Sequence, residues 1–165
     1  MVHTPFQLYI KELRHYQHLK TYESSLGLTV EEFTEKWNKL SIGYGSNLEL
    51  KDIQIIENNI LNIKINKNIG FIGNIDPDSN YLSNINMIGS GDGTPKSGAN
   101  IISSIAIMLS VFTDDEEVDV RNKALHDLGL IDLENTDLNT SIILKGLKFS
   151  LRMSKEIGIS FSVSR

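Results

Sequence analysis

The periodicity of apolar residues changes along this 165-residue chain, and those changes constrain the fold more than any motif does. Across residues 48–88 apolar side chains recur at every second position, the pattern of strands with one buried face. Clusters rich in Asn, Asp and Pro interrupt this stretch, so we expect four short strands joined by tight turns. The same period returns across residues 147–163 and predicts a final hairpin that turns at Ser154-Lys155-Glu156.

Helical spacing surrounds these stretches. Residues 5–22 place apolar side chains three or four apart, and Thr29-Val30-Glu31-Glu32 has the form of a capping box before a second helix. Thr94 followed by Pro95 predicts the start of a third helix that is apolar on most sides and ends near Phe112. Thr113-Asp114-Asp115-Glu116 reads as another capping box, which would open a fourth helix.

The resulting order is ααββββααββ, and the short links between strands predict antiparallel pairing. We therefore expect an α+β fold in which an antiparallel sheet of about six strands has its helices packed on one face. The length and the 40% of hydrophobic residues fit a single domain over residues 1–165. Residues 1–24 form an N-terminal helical segment that we expect to be peripheral to it.

Charge and composition narrow the classes of partner. The formal net charge of −5 argues against nucleic acid and anionic membranes, which require clustered Lys and Arg, and it favours a basic protein partner. The chain has no cysteine, which excludes disulfides and thiolate chemistry. No signal peptide is visible, and the most apolar run, residues 99–112, is shorter than the roughly 20 residues of a membrane span. These features predict a cytoplasmic protein with no membrane span.

Two segments are candidates for contact with a protein partner. The densest charge run places carboxylates at Asp114, Asp115, Glu116, Glu117 and Asp119. Carboxylates in the first turn of a helix are stabilised by the helix dipole, but an acidic patch also attracts a basic partner. The N-terminal helix carries amphipathic rings, of which Tyr9 and Tyr16 are the candidate contacts, because such side chains are enriched at protein interfaces.

The glycine-rich segment from Gly89 to Gly98 is the candidate for binding a small ligand. It lies between a predicted strand and a predicted helix, where backbone N–H groups can bind a phosphate. Its spacing matches neither the dinucleotide-binding pattern nor the P-loop, and Asp92 would repel a phosphate. A turn that leads into a Thr-capped helix explains the same residues. The candidate ligand residues are Gly89, Gly91, Asp92, Gly93 and Lys96.

No spacing typical of a catalytic site is recognisable, and Asp76-Pro77-Asp78-Ser79-Asn80 lacks the later ligands of a calcium loop. We therefore predict no cofactor, no metal and no enzymatic activity. The leading hypothesis is a binding protein that neutralises a basic protein partner, as bacterial toxin-immunity and enzyme-inhibitor proteins do. One alternative is an acidic, homodimeric secretion-type chaperone. Another is a small-ligand or phosphate-binding protein that uses the glycine loop.

Overall fold

The helices and strands of the computed structural model follow the predicted order closely. The structure describes residues 5–114, 116–131 and 137–165, except for the side chains at positions 5, 6, 8, 9, 18, 20 and 21. The helices are α1 (Pro5–Ser24), α2 (Val30–Gly43), α3 (Pro95–Phe112) and α4 (Val118–Asp127). The strands are β1 (Asp52–Ile56), β2 (Ile60–Lys64), β3 (Ile69–Ile75), β4 (Leu82–Gly89), β5 (Leu138–Leu144), β6 (Leu147–Ser154) and β7 (Gly158–Ser164).

The seven strands form one sheet in the order β1-β2-β3-β4-β7-β6-β5, and each neighbouring pair is antiparallel. The sheet consists of two meanders, β1–β4 and β5–β7, which are linked along the chain by α3 and α4. The two meanders join where β4 pairs with β7, and we call this β4–β7 pairing the seam. The predicted α+β class, with an antiparallel sheet and packed helices, is confirmed.

The sheet contains one strand, β5, in a stretch where the sequence pattern predicts no strand. The apolar alternation in β5 is weak, because one of its inward-facing residues is the polar Thr140. The outward-facing residues on either side of Thr140 are Asn139 and Ser141, which are polar as well. The link to β6 is only Lys145-Gly146, and both residues have a positive φ, 55° and 73°. That geometry is typical of a two-residue hairpin turn, which β-propensity alone does not reveal.

The core lies between one face of the sheet and the helices. Alternate side chains of the strands are buried on that face, namely Leu61, Ile63, Phe71, Ile85, Met87, Leu147, Phe149, Leu151, Phe161 and Val163. Trp37 of α2 lies edge-on against Phe71, with ring centroids 4.9 Å apart, and its indole N–H donates to the Leu48 carbonyl at 2.7 Å. Because this hydrogen bond satisfies the only polar atom of the indole, a fully buried Trp is tolerated.

α3 is the most apolar helix that the structure describes. Among the described residues it alone has the length and apolar character that a membrane span would need, and 56% of it is buried inside the domain. Its first turn follows the prediction, since Thr94 accepts a hydrogen bond from the Ser97 N–H and Pro95 occupies the first turn. α3 therefore serves as a core helix of this fold.

The prediction that Thr113 caps α4 is wrong. The Thr113 hydroxyl donates to the Leu109 carbonyl at 2.6 Å, and its N–H bonds to the Ser110 carbonyl, so Thr113 ends α3. α4 begins later, at Val118, and its N-cap residue Glu117 makes no side-chain capping bond. The capping box at Thr29 is confirmed, because Thr29 and Glu32 exchange both of the expected hydrogen bonds.

Candidate partner-binding surface and the glycine loop

The residues of the glycine loop are held by contacts within the protein. Gly89 ends β4 under α3, and a Cβ at this position would lie 3.1 Å from the Ile101 side chain. Gly93 has a φ of +82°, which favours glycine, whereas Gly91 has neither a positive φ nor a close neighbour. The packing of α3 on β4 therefore accounts for Gly89, and backbone conformation accounts for Gly93.

Asp92 accepts hydrogen bonds that hold the conformation of this loop. Its carboxylate accepts hydrogen bonds from the Thr94 hydroxyl at 2.6 Å and the Thr94 N–H at 3.1 Å. These bonds, led by the one from the Thr94 hydroxyl, hold the pKa of Asp92 well below its ordinary value. The carboxylate thus organises the start of α3, and it places a negative charge in front of the helix N-terminus where a phosphate would bind.

The loop borders a polar cleft of about 510 Å³. Its opposite wall is formed by the β2–β3 turn, from which Lys67 reaches Asp92 at 3.3 Å, and Lys96 of α3 also lines the cleft. The charges of Asp92 and Lys67 therefore offset each other. Lys96 forms no ion pair with any residue that the structure describes.

The acidic run is divided between two elements. Asp114 follows α3 and forms an ion pair with Lys36 of α2 at 2.9 Å. Asp115 lies outside the described residues. Arg121 donates to the backbone carbonyl of Glu116 at 2.6 Å. Glu117 and Asp119 are exposed at the start of α4, so they are the two carboxylates of the run that face solvent without a described ion partner.

α1 has few contacts with the other elements that the structure describes. It shares no extended packing with another described element, and its side chains at positions 11–17 are exposed. Tyr16 is 65% exposed, and Leu13 and Leu19 are exposed on the same helix. Tyr9 lies within α1, but its side chain is outside the described residues. Tyr22 anchors the end of the helix by packing edge-on against Tyr81, with centroids 5.5 Å apart.

One depression brings the two candidate segments together. It has a volume of about 340 Å³, and both Tyr22 of α1 and Asp114 line it. Lys36, Lys145 and Arg165 line the same depression. None of the three basic residues was predicted, because they come from separate parts of the chain. We call this depression, with α1 and the exposed carboxylates Glu117 and Asp119, the α1 surface.

Among residues 5–114, 116–131 and 137–165, no three His, Asp or Glu side chains are grouped as ligands for a metal ion. Comparison with protein-family models, with curated proteins and with solved structures finds no match.

Proposed function

We propose that this chain is a protein-binding domain that neutralises a basic protein partner, in the manner of toxin-immunity and enzyme-inhibitor proteins, and that it acts by binding and not by catalysis. The observation that carries the proposal is the α1 surface. Tyr22, on the exposed ring-bearing helix, and Asp114, at the start of the acidic segment, line one depression. The rings of α1 offer contact area, and the exposed carboxylates of Glu117 and Asp119 offer electrostatic steering to a basic partner. The depression itself is also lined by Lys36, Lys145 and Arg165, so it is not the acidic part of the α1 surface.

The two parts of this surface have separate roles in the proposal. Leu13, Tyr16 and Leu19 supply area that a partner removes from water, which determines how slowly the complex dissociates. Glu117 and Asp119 supply an exposed negative field, which raises the rate of encounter with a basic surface at low salt.

The contact is tested by placing a photo-crosslinking phenylalanine analogue at position 16 of the full chain in its native host. We expect a covalent adduct with a basic protein from position 16. The matched control is position 44 at the end of α2, where Tyr44 is also exposed. No adduct at position 16, or an equal yield of the same adduct at position 44, would refute this surface.

The steering role is tested with the captured partner. Replacing both Glu117 and Asp119 with Lys should slow association at low salt by about tenfold or more, while the dissociation rate changes less. The control replaces both Asp52 and Glu57 with Lys, because it changes the net charge by the same amount at two exposed residues that begin and follow β1, an edge strand of the sheet. Equal slowing by both variants would show that only net charge matters.

The polar cleft favours a second candidate, the binding of a small anionic ligand by the glycine loop. Lys96 has no described ion partner in that cleft. A thermal-shift screen with nucleotides and sugar phosphates should then raise the melting temperature of the wild type, and both Gly91→Ala and Lys96→Ala should reduce the rise. An unresponsive wild type would remove this candidate.

A further inference from the structure

β5 forms one edge of the sheet, and its own residues lack the charges, prolines and bulges that usually prevent edges from pairing. Its seven residues, Leu138–Leu144, include no charge and no proline, and its register with β6 is continuous, without a bulge. Natural proteins commonly protect exposed edges with charges, prolines, bulges or very short strands. The opposite edge follows that rule, because β1 has five residues, begins at Asp52 and is followed by Glu57.

The core is also incomplete beneath β5. Leu147, Phe149 and Leu151 on the neighbouring strand β6 are buried, whereas Leu138, Ile142 and Leu144 on β5 are only half buried. Ile143, on the other face of the same strand, is 78% exposed. Apolar area therefore continues past the last strand of the sheet, and a further strand beside β5 would bury more of it.

We propose that β5 pairs with β5 of a second copy of this chain, antiparallel and two-fold symmetric about Ser141, to give one continuous sheet. In this register Leu138 lies opposite Leu144 of the second copy, and Thr140 lies opposite Ile142. Leu138, Thr140, Ile142 and Leu144 are separated from one another by even numbers of residues, so all four lie on the same, helix-covered face of the sheet. The two-fold axis keeps the same residues of the second copy on that face as well. The helices of both copies then cover the same side.

The charges that flank β5 favour a second copy over an unrelated peptide. Asp137 precedes the strand and Lys145 follows it. Pairing about Ser141 brings Asp137 of each copy to the end where Lys145 of the other copy lies, so opposite charges meet at both ends. An isologous interface must be complementary to itself, and this edge has an uncharged centre and opposite charges at its two ends.

The test uses the full chain and the position nearest the two-fold axis. Wild type should sediment with twice the mass of the 18.5 kDa chain. Ser141→Lys and Ser141→Glu should each raise the dimer dissociation constant by about tenfold or more, because like charges then face each other across the axis. An equimolar mixture of the two variants should recover the dimer as a Lys/Glu heterodimer.

The control is Gln54→Lys, a change in the middle of the β1 edge strand at an exposed position, which should leave the dimer intact. Circular dichroism should show that every variant remains folded. A wild type that stays monomeric at 100 μM, an unrestored mixture, or loss of the dimer in Gln54→Lys would each overturn the proposal. Lys145 borders both surfaces, but the changes at Ser141 and Gln54 do not alter any residue of the α1 surface, so the two proposals can fail separately.

Discussion

At the scale of single residues, two glycines fix the approach of neighbouring backbones at the seam. Gly158 begins β7 with a φ of +82°, and a Cβ on it would collide with the carbonyl oxygen of Gly89. Gly89 in turn lies directly beneath Ile101 of α3. The sequence singled out Gly89 as a ligand residue, yet its packing gives it a structural reason to be glycine. No local pattern pointed to Gly158, because the carbonyl that it faces is far away along the chain.

Gly158→Ala should therefore lower the free energy of unfolding by roughly 2 kcal/mol or more, because the side chain adds both left-handed strain and a backbone collision. Gly43→Ala is the matched control. Gly43 lies in α2 with open space around its missing Cβ and no positive φ, so Ala should stabilise the protein by about 0.5–1 kcal/mol. Urea denaturation measures both, and equal effects would contradict the role assigned to Gly158.

Asp92 gives the protein a specific sensitivity to acid. Its folded pKa is lowered mainly by the hydrogen bond from the Thr94 hydroxyl, so the ionised form stabilises the fold above the unfolded pKa of about 4. This stabilisation is lost progressively as the pH falls from there towards the folded pKa. Between about pH 6 and pH 3, wild type should therefore lose more free energy of unfolding than Asp92→Asn.

Lys67→Ala provides the comparison for that experiment. Lys67 is an exposed ion partner of Asp92, and exposed pairs contribute little. The pH dependence of Lys67→Ala should therefore match that of wild type. A flat profile in Lys67→Ala would mean that the ion pair, and not the bonds from Thr94, lowers the pKa.

At the scale of elements, the same four-residue pattern had different outcomes at Thr29 and at Thr113. Thr29 and Glu32 cap α2, whereas Thr113 bonds back to Leu109 and ends α3. A short pattern cannot distinguish the start of one helix from the end of the preceding one, because both bring a hydroxyl close to free backbone groups. The prediction succeeded where a turn precedes the Thr and failed where a buried helix does.

Thr29→Ala should destabilise the protein by about 1 kcal/mol, because the N–H groups of the first turn of α2 lose their side-chain acceptor. Thr34→Ala is the control within the same helix. The Thr34 hydroxyl bonds to the Val30 carbonyl, which already belongs to the helix, and Ala has the higher helix propensity. Thermal denaturation should show a loss only for Thr29→Ala, and an equal loss in both variants would contradict the capping role.

At the scale of the whole molecule, local patterns predicted most of the sheet but not how its surface is assembled. The alternation of apolar residues located β1–β4, β6 and β7, and only β5, diluted by Asn139, Thr140 and Ser141, was missed. Tyr16 and Asp114 were identified as candidates, but Lys36 was not, because it pairs with Asp114 from 78 positions away. Such contacts depend on tertiary packing, which no short window of sequence contains.

The limited packing of α1 leads to a prediction about the whole chain. A protein that begins at Thr21 keeps Tyr22 and its contact with Tyr81, and it should retain cooperative unfolding with a stability within about 1 kcal/mol of the full chain. Chemical denaturation measures this directly, and the same truncation should abolish binding through the α1 surface. A large loss of stability would show that α1 is part of the core.

The seam also bears on the kinetics of folding. Each meander is built from neighbouring strands, so its pairings close short loops, whereas the seam joins strands separated by α3, α4 and the second meander. Ser160 and Asn86, for example, form a hydrogen bond across it from 74 positions apart. Because long loops close at a greater entropic cost, we expect the rate at which β4 finds β7 to limit folding. Until β4 and β7 pair, each of these two strands would keep one edge of unpaired backbone N–H and C=O groups exposed.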